Sequence, residues 1–224
     1  NSCHNITHCW QRLNGIEGHM LNFLENHDEQ RIASPFFAGC AEKGIPAMIV
    51  SATLSKGPVM IYNGQEFGEK AADAEGFSGA DGRTTIFDYW TIPSVYRWLN
   101  NKLKKEEKSL QDFYQKLLNI CQSEKAVGEG EFFDLEYANF NNPDFNTHKQ
   151  YAFIRKQDNE LLLIAVNFED FDVNIGINIP QHAFDHLRIP EGKEVESVEL
   201  LRNIKSEVSL SPEKRLEVSI PKNN

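Results

Sequence analysis

A short apolar run, Met20-Leu21-Asn22-Phe23-Leu24-Glu25, empties at once into the polar cluster Asn26-His27-Asp28-Glu29-Gln30-Arg31, and this constrains the fold more than any other feature. A run of that length closed by polar residues predicts a buried strand that delivers a charged loop. A second run, Val59-Met60-Ile61-Tyr62, closes in the same way with Asn63-Gly64-Gln65-Glu66. Between them, Ile45 to Leu54 carries Pro46 near its start and Ser55-Lys56-Gly57 after its end, the asymmetry of a helix. Strand, helix, strand, with each strand leaving into polar residues, predicts a parallel βα arrangement in which helices cover near-continuously apolar strands.

On either side the texture changes. Ile6, Trp10, Leu13 and Ile16 fall at helical spacing before Gly15 and Gly18 interrupt the pattern. After a Gly-rich, acidic loop from Phe67 to Arg83, residues 94–100 and 106–121 predict helices, the second with Leu110, Phe113, Tyr114, Leu117 and Leu118 on one face. Gly128 and Gly130 close that region. From Glu131 the runs become short and β-rich: 151–155, 161–167, 173–179, 195–201 and 215–220, separated by turn signals such as Gln157-Asp158-Asn159 and Pro190-Glu191-Gly192. That is the pattern of an antiparallel β-sandwich, and it places a boundary between 1–128 and 129–224.

Charge narrows the partners. The chain has 33 Asp and Glu against 23 Lys and Arg, a formal net charge of −10, which repels phosphate backbones and argues against nucleic acid. No apolar run approaches the roughly 20 residues that cross a bilayer. The start, Asn1-Ser2-Cys3-His4, lacks an initiating Met or a signal-type apolar core and reads as a cut edge, so localisation is left open. Cysteines at 3, 9, 40 and 121 make no dense disulfide framework.

In βα barrels the active site is built at the C-terminal ends of the strands, where Asn26-His27-Asp28 would sit. Phe23-Leu24-Glu25-Asn26-His27-Asp28 resembles the last conserved region of the α-amylase superfamily, glycoside hydrolase family 13, whose seventh barrel strand ends in Asn-His-Asp. Lys56-Gly57-Pro58-Val59-Met60-Ile61-Tyr62-Asn63-Gly64-Gln65-Glu66 resembles that family's eighth strand and the turn after it, in the correct order. Tyr151 to Arg155 and Leu162 to Phe168 are similar to its C-terminal β-domain. The resemblance therefore implies the C-terminal portion of a (β/α)8 TIM barrel over 1–128, its last two strands and helices, followed by the β-sandwich domain over 129–224.

It also implies roles. Asp28 matches the third catalytic carboxylate, which steadies the oxocarbenium-like transition state without attacking the sugar, and His27 matches a residue that hydrogen-bonds the sugar at the scissile bond. Asn26, Glu66 and Arg31 are further substrate-binding candidates. The implied function is that of a retaining glycoside hydrolase or transglycosidase acting on α-glucan. The family's nucleophile and acid/base lie on the fourth and fifth strands, and no motif before residue 20 resembles them, so the 224 residues alone are expected to be inactive. The alternative is a non-catalytic, carbohydrate-binding homologue that keeps the fold. Calcium is common in the resembling family, but no ligand set for it is identifiable here.

Blander roles compete at several positions. Glu29 and Arg31 fit solvated or ion-paired charges, Gln65 and Glu66 fit loop supports, and Arg83 fits either an anchor for the site or a structural ion pair. Tyr89 and Trp90 are candidates to stack on sugar, whereas Trp98 at helical spacing fits a core. His4 and His8 would share one face of a helix with the thiols of Cys3 and Cys9 nearby, but the separated ligand pairs usual for zinc are lacking, and Asn5-Ile6-Thr7 is a short sequon. Unpaired barrel strands present raw sheet edge, so self-association of the piece is expected.

Overall fold

Along the chain, helix α1 (His4–Leu13) is followed by strand β1 (Asn22–Phe23), helix α2 (Ile45–Thr53) and strand β2 (Val59–Met60). Helices α3 (Pro93–Leu99), α4 (Lys105–Ser123) and α5 (Lys125–Gly128) come next, then strand β3 (Glu131–Asp134) and helix α6 (Glu136–Asn139). Strands β4 (Gln150–Gln157), β5 (Glu160–Asn167) and β6 (Val173–Ile177) precede helix α7 (Gln181–Leu187), and strands β7 (Gly192–Glu199), β8 (Ile204–Leu210) and β9 (Leu216–Ile220) end the chain. These elements come from a computed structural model, which describes residues 2–13, 15–73, 80–87 and 91–223. The chain forms two compact units: Asn1–Met20, Thr53–Gly57 and Asn119–Asn224 in one, Leu21–Ala52 and Pro58–Leu118 in the other.

In the βα unit, β1 and β2 pair in parallel, Asn22 opposite Val59 and Phe23 opposite Met60. Parallel neighbours need a crossover, and α2 supplies it with Met48, Ile49, Val50 and Ala52 all buried. The order strand, helix, strand is as predicted, but the expected burial of the first strand is not found. Leu21 and Phe23 are 48% and 42% exposed, because β1 is two residues long and β2 is its only ladder partner among the described residues. Leu110, Tyr114 and Leu117 are buried in α4 at the three- and four-residue spacing that stacks side chains on one helix face.

The β unit is antiparallel throughout. β4 sits between β3 and β5, β6 pairs with β9, and β7 pairs with β8. One apolar cluster joins them: Phe133, Ala152 and Ile154 from the first sheet meet Ile175, Ile177, Leu210, Leu216 and Ile220, with Ala183, Phe184 and Leu187 of α7 among them. Strand β8 lies between two predicted runs and was not anticipated, since Ile204 to Glu207 are all exposed and carry no burial alternation.

Helix α1 meets the strands of this unit largely around the carboxylate of Asp134, with Trp10 packed on Phe132. Asp134 Oδ2 accepts from the Thr7 hydroxyl (2.6 Å), the Trp10 indole (2.8 Å) and the Tyr151 hydroxyl (2.8 Å), while Oδ1 accepts the Glu136 N–H (2.7 Å). Burial, with Asp134 beside it, pushes the Tyr151 phenol well above its usual range, so it stays a donor.

Candidate functional site

The polar loop after β1 begins with a residue that is not polar in its surroundings. Glu25 is 2% exposed and Arg31 is fully buried, and they pair through Arg31 Nη1 and Glu25 Oε2 at 2.9 Å. Arg31 also donates to the Thr84 hydroxyl and to the Asn63 carbonyl, and its guanidinium lies 4.3 Å over the Tyr62 ring. Glu25 Oε1 accepts the Ile32 N–H at 2.7 Å. Burial raises the Glu25 carboxyl above the usual range despite the pull of Arg31. Of the competing roles, Arg31 takes the ion-paired one: its donors are committed inside the unit. The same pattern explains why Glu25 and Thr84 escaped notice, since a carboxylate closing an apolar run was the only sign of the pair.

His27 and Asp28 emerge from this knot. His27 Nε2 lies 3.5 Å from Asp28 Oδ2, with side chains 47% and 75% exposed. Asn26 turns its amide oxygen onto the Asp28 and Glu29 N–H groups at 2.8 and 2.9 Å, the Asx turn that lets a chain leave a strand sharply. Asn26 thus shapes the loop that carries the pair. An exposed carboxylate and imidazole side by side can accept and donate hydrogen bonds to vicinal hydroxyls and can stabilise developing positive charge.

Glu66 sits elsewhere. Gly64 has φ +89°, a backbone conformation side chains resist, and this opens a 3-10 turn, Gln65–Phe67. Gln65 is buried and donates to the Tyr114 hydroxyl at 2.9 Å, which fixes the turn against α4. Glu66 lines a cavity of about 380 Å³ with Ile61, Gln111, Tyr114, Gln115 and Leu118. Its Oε2 is buried without a hydrogen-bond partner among the described residues, and burial raises its carboxyl above the ordinary range. None of Asn26, His27, Asp28 and Arg31 lines that cavity.

Arg83 reaches the loop directly: its Nε donates to the Asp28 carbonyl at 2.6 Å and its Nη1 pairs with Asp81 at 3.1 Å. Tyr89 and Trp90 lie outside the described residues. Trp98 stacks on buried Phe67 at 5.7 Å yet remains 46% exposed, so it is only half the core residue its spacing predicted. No group of three His, Cys, Asp or Glu suited to a metal occurs among the described residues. His4 instead faces Glu136, Nδ1 to Oε1 2.9 Å, and Thr7 of the sequon bonds Asp134. Glu136, unremarked in the sequence, is 3% exposed, and burial followed by the nearby Asp134 pushes its carboxyl up to about 8.

A polar loop leaving a parallel-paired strand, with an antiparallel β unit following it in sequence, is the order of elements in the C-terminal part of a (β/α)8 barrel that carries a β-domain. No protein-family model matches the chain. Alpha-amylase 2 of Dictyoglomus thermophilum is 28% identical over 171 residues, 75% of this chain and 26% of that protein. The α-amylase of Geobacillus thermoleovorans, solved with acarbose, superposes over 100% of this chain and 42% of its own with a TM-score of 0.65 at 16% identity. The maltogenic α-amylase AmyB of Thermotoga neapolitana covers 99% of this chain and 44% of its own, TM-score 0.62, 17% identity. The chain is thus similar to the α-amylases and shares the fold of the part of those enzymes that it covers. It spans about a quarter of the curated relative and about two fifths of the solved structures.

Proposed function

We propose that these 224 residues supply the transition-state-stabilising carboxylate of a retaining α-glucan hydrolase or transglycosidase. Asp28 is the catalytic residue, binding the ring hydroxyls of the distorted sugar, and His27 donates to the sugar beside the scissile bond. The observation that carries this is the exposed His27–Asp28 pair, 3.5 Å apart, in the loop that leaves a strand of parallel pairing. Asn26 and Arg31 serve the site by holding the loop, and Glu66 belongs to the turn after β2. The nucleophile and the acid/base are assigned to the fourth and fifth strands of the same barrel, which no segment here resembles. The substrate class is supported by relatives solved with acarbose, maltose and maltotriose.

The pair acts only as charge develops. As the glycosidic bond breaks, positive charge grows on the ring, and a fixed carboxylate gains more there than in the ground state. In the enzyme that carries this chain, Asp28→Asn is expected to lower kcat for maltooligosaccharide cleavage by about 10²–10³-fold with little change in melting temperature. Ordinary turnover in that variant would favour a homologue that only binds glucan. His27→Ala is expected to raise KM as well as lower kcat, since it contributes binding in both states.

A further inference from the structure

Among the described residues the Asp28 carboxylate is restrained by His27, and its backbone is held on both sides. Asn26 Oδ1 takes the Asp28 N–H at 2.8 Å, and Arg83 Nε takes the Asp28 carbonyl at 2.6 Å. Asn26 is two residues away and belongs to the turn. Arg83 is 55 residues away in sequence, and a bond from it to a carbonyl is charge-assisted.

Arg83 does not act alone. Asp81 Oδ1 accepts the Arg83 N–H at 3.0 Å and Asp81 Oδ2 accepts from its Nη1 at 3.1 Å, so backbone and guanidinium are set by one carboxylate. The same segment grips the loop at every step: Gln30 Nε2 donates to the Asp81 carbonyl at 2.9 Å, the Arg31 N–H to the Gly82 carbonyl at 2.7 Å, and the Arg31 guanidinium to Thr84. Gly82 is at φ +84°, and a Cβ there would lie 2.4 Å from Ser34 Oγ. The approach of the two segments therefore depends on glycine.

Resting on the assignment of Asp28, we infer that Arg83 is a positioning residue for catalysis: with Asp81 it forms a clamp that fixes the height and direction of the Asp28 carboxylate through its main chain. A surface ion pair between Arg83 and Asp81 would serve nothing beyond itself, and mutating it would cost little. The clamp predicts otherwise, because a displacement on the order of 1 Å in a catalytic group costs up to about 10²-fold in rate.

The test uses the whole enzyme that contains this chain, with Arg83→Ala, Arg83→Lys and Asp28→Asn assayed on a maltooligosaccharide. Arg83→Ala should lower kcat about 10- to 100-fold with KM within about twofold and an unchanged melting temperature. Arg83→Lys, which keeps one donor, should recover part of kcat. Hydrogen exchange should quicken at the Arg31 amide, whose acceptor is the Gly82 carbonyl. If Asp28→Asn is inactive while Arg83→Ala turns over normally, the clamp is wrong and the functional assignment stands. If Asp28→Asn itself turns over normally, the assignment fails, whatever Arg83 does. A loss of kcat in Arg83→Ala that tracks a lower melting temperature, with no rescue by lysine, also overturns the clamp.

Discussion

The two units solve the problem of burial in opposite ways. In the β unit every named strand is paired, and fifteen buried residues form one cluster that draws on β3, β4, β6, β8, β9 and α7. In the βα unit the only ladder among the described residues is two residues long, and Phe36, Phe37, Ile86 and Leu99 are each more than half exposed. The βα unit relies on polar fixtures: the buried Glu25–Arg31 pair, Gln65 to Tyr114, and Glu69 accepting from the Ser94 hydroxyl at 2.6 Å. The lesson is about direction. A close-packed apolar core is set by shape and buried area, whereas directional hydrogen bonds fix the angles at which loops leave strands.

If that contrast is right, the βα unit should be most sensitive to its charges. Arg31→Met leaves Glu25 buried without its cation and is expected to cost about 3–5 kcal/mol near neutral pH by urea titration. The sign with pH follows from linkage. Without Arg31 the folded-state pKa of Glu25 stands above its unfolded value, so the stability deficit should shrink as pH falls and the carboxyl takes up its proton. A deficit independent of pH would break the comparison. For the β unit the corresponding probe is apolar: Leu187→Ala, at a position 4% exposed, should cost about 2–5 kcal/mol with no pH dependence of its own.

Smaller effects sharpen the same distinction. Gly64→Ala forces a side chain into φ +89° and against Glu69 Cβ, and about 1–2 kcal/mol is expected from thermal unfolding. The most conservative probe in shape is Glu136→Gln, a polar fault inside the β unit. A carboxyl raised from 4.5 to about 8 by folding favours the protonated state, so its contribution is full below 4.5 and is lost as pH rises through about 8. The glutamine variant should therefore melt with the parent at low pH and above it at about pH 9; identical melting curves at both would mean that the burial of Glu136 carries no electrostatic cost.

What was legible in the sequence follows the same line. Period and punctuation revealed α2, α4 and the longer apolar strands β4, β5, β6 and β9, because those elements are made by burial that repeats along the chain, whereas the four-residue β3 was too short to show it. β8 was missed because Ile204-Lys205-Ser206-Glu207 faces water on both sides, and α7 because seven residues after Pro180 hold barely two turns. His27 and Asp28 were found as a motif, while the clamp through Asp81 and Gly82 was invisible: contacts between segments some fifty residues apart leave no periodic trace. Arg31 shows the same limit, since nothing in Glu29-Gln30-Arg31 says which side chain turns inward.

Asp134 has a practical implication for anyone who wishes to excise the β-rich half. Two of the donors that quench its anion, the Thr7 hydroxyl and the Trp10 indole, are encoded more than a hundred residues upstream. A cut made just ahead of Glu131 would open that oxygen to solvent and leave it the Tyr151 phenol among the described side-chain donors, so a well-behaved excised module has to carry the α1 peptide with it, fused or added in trans.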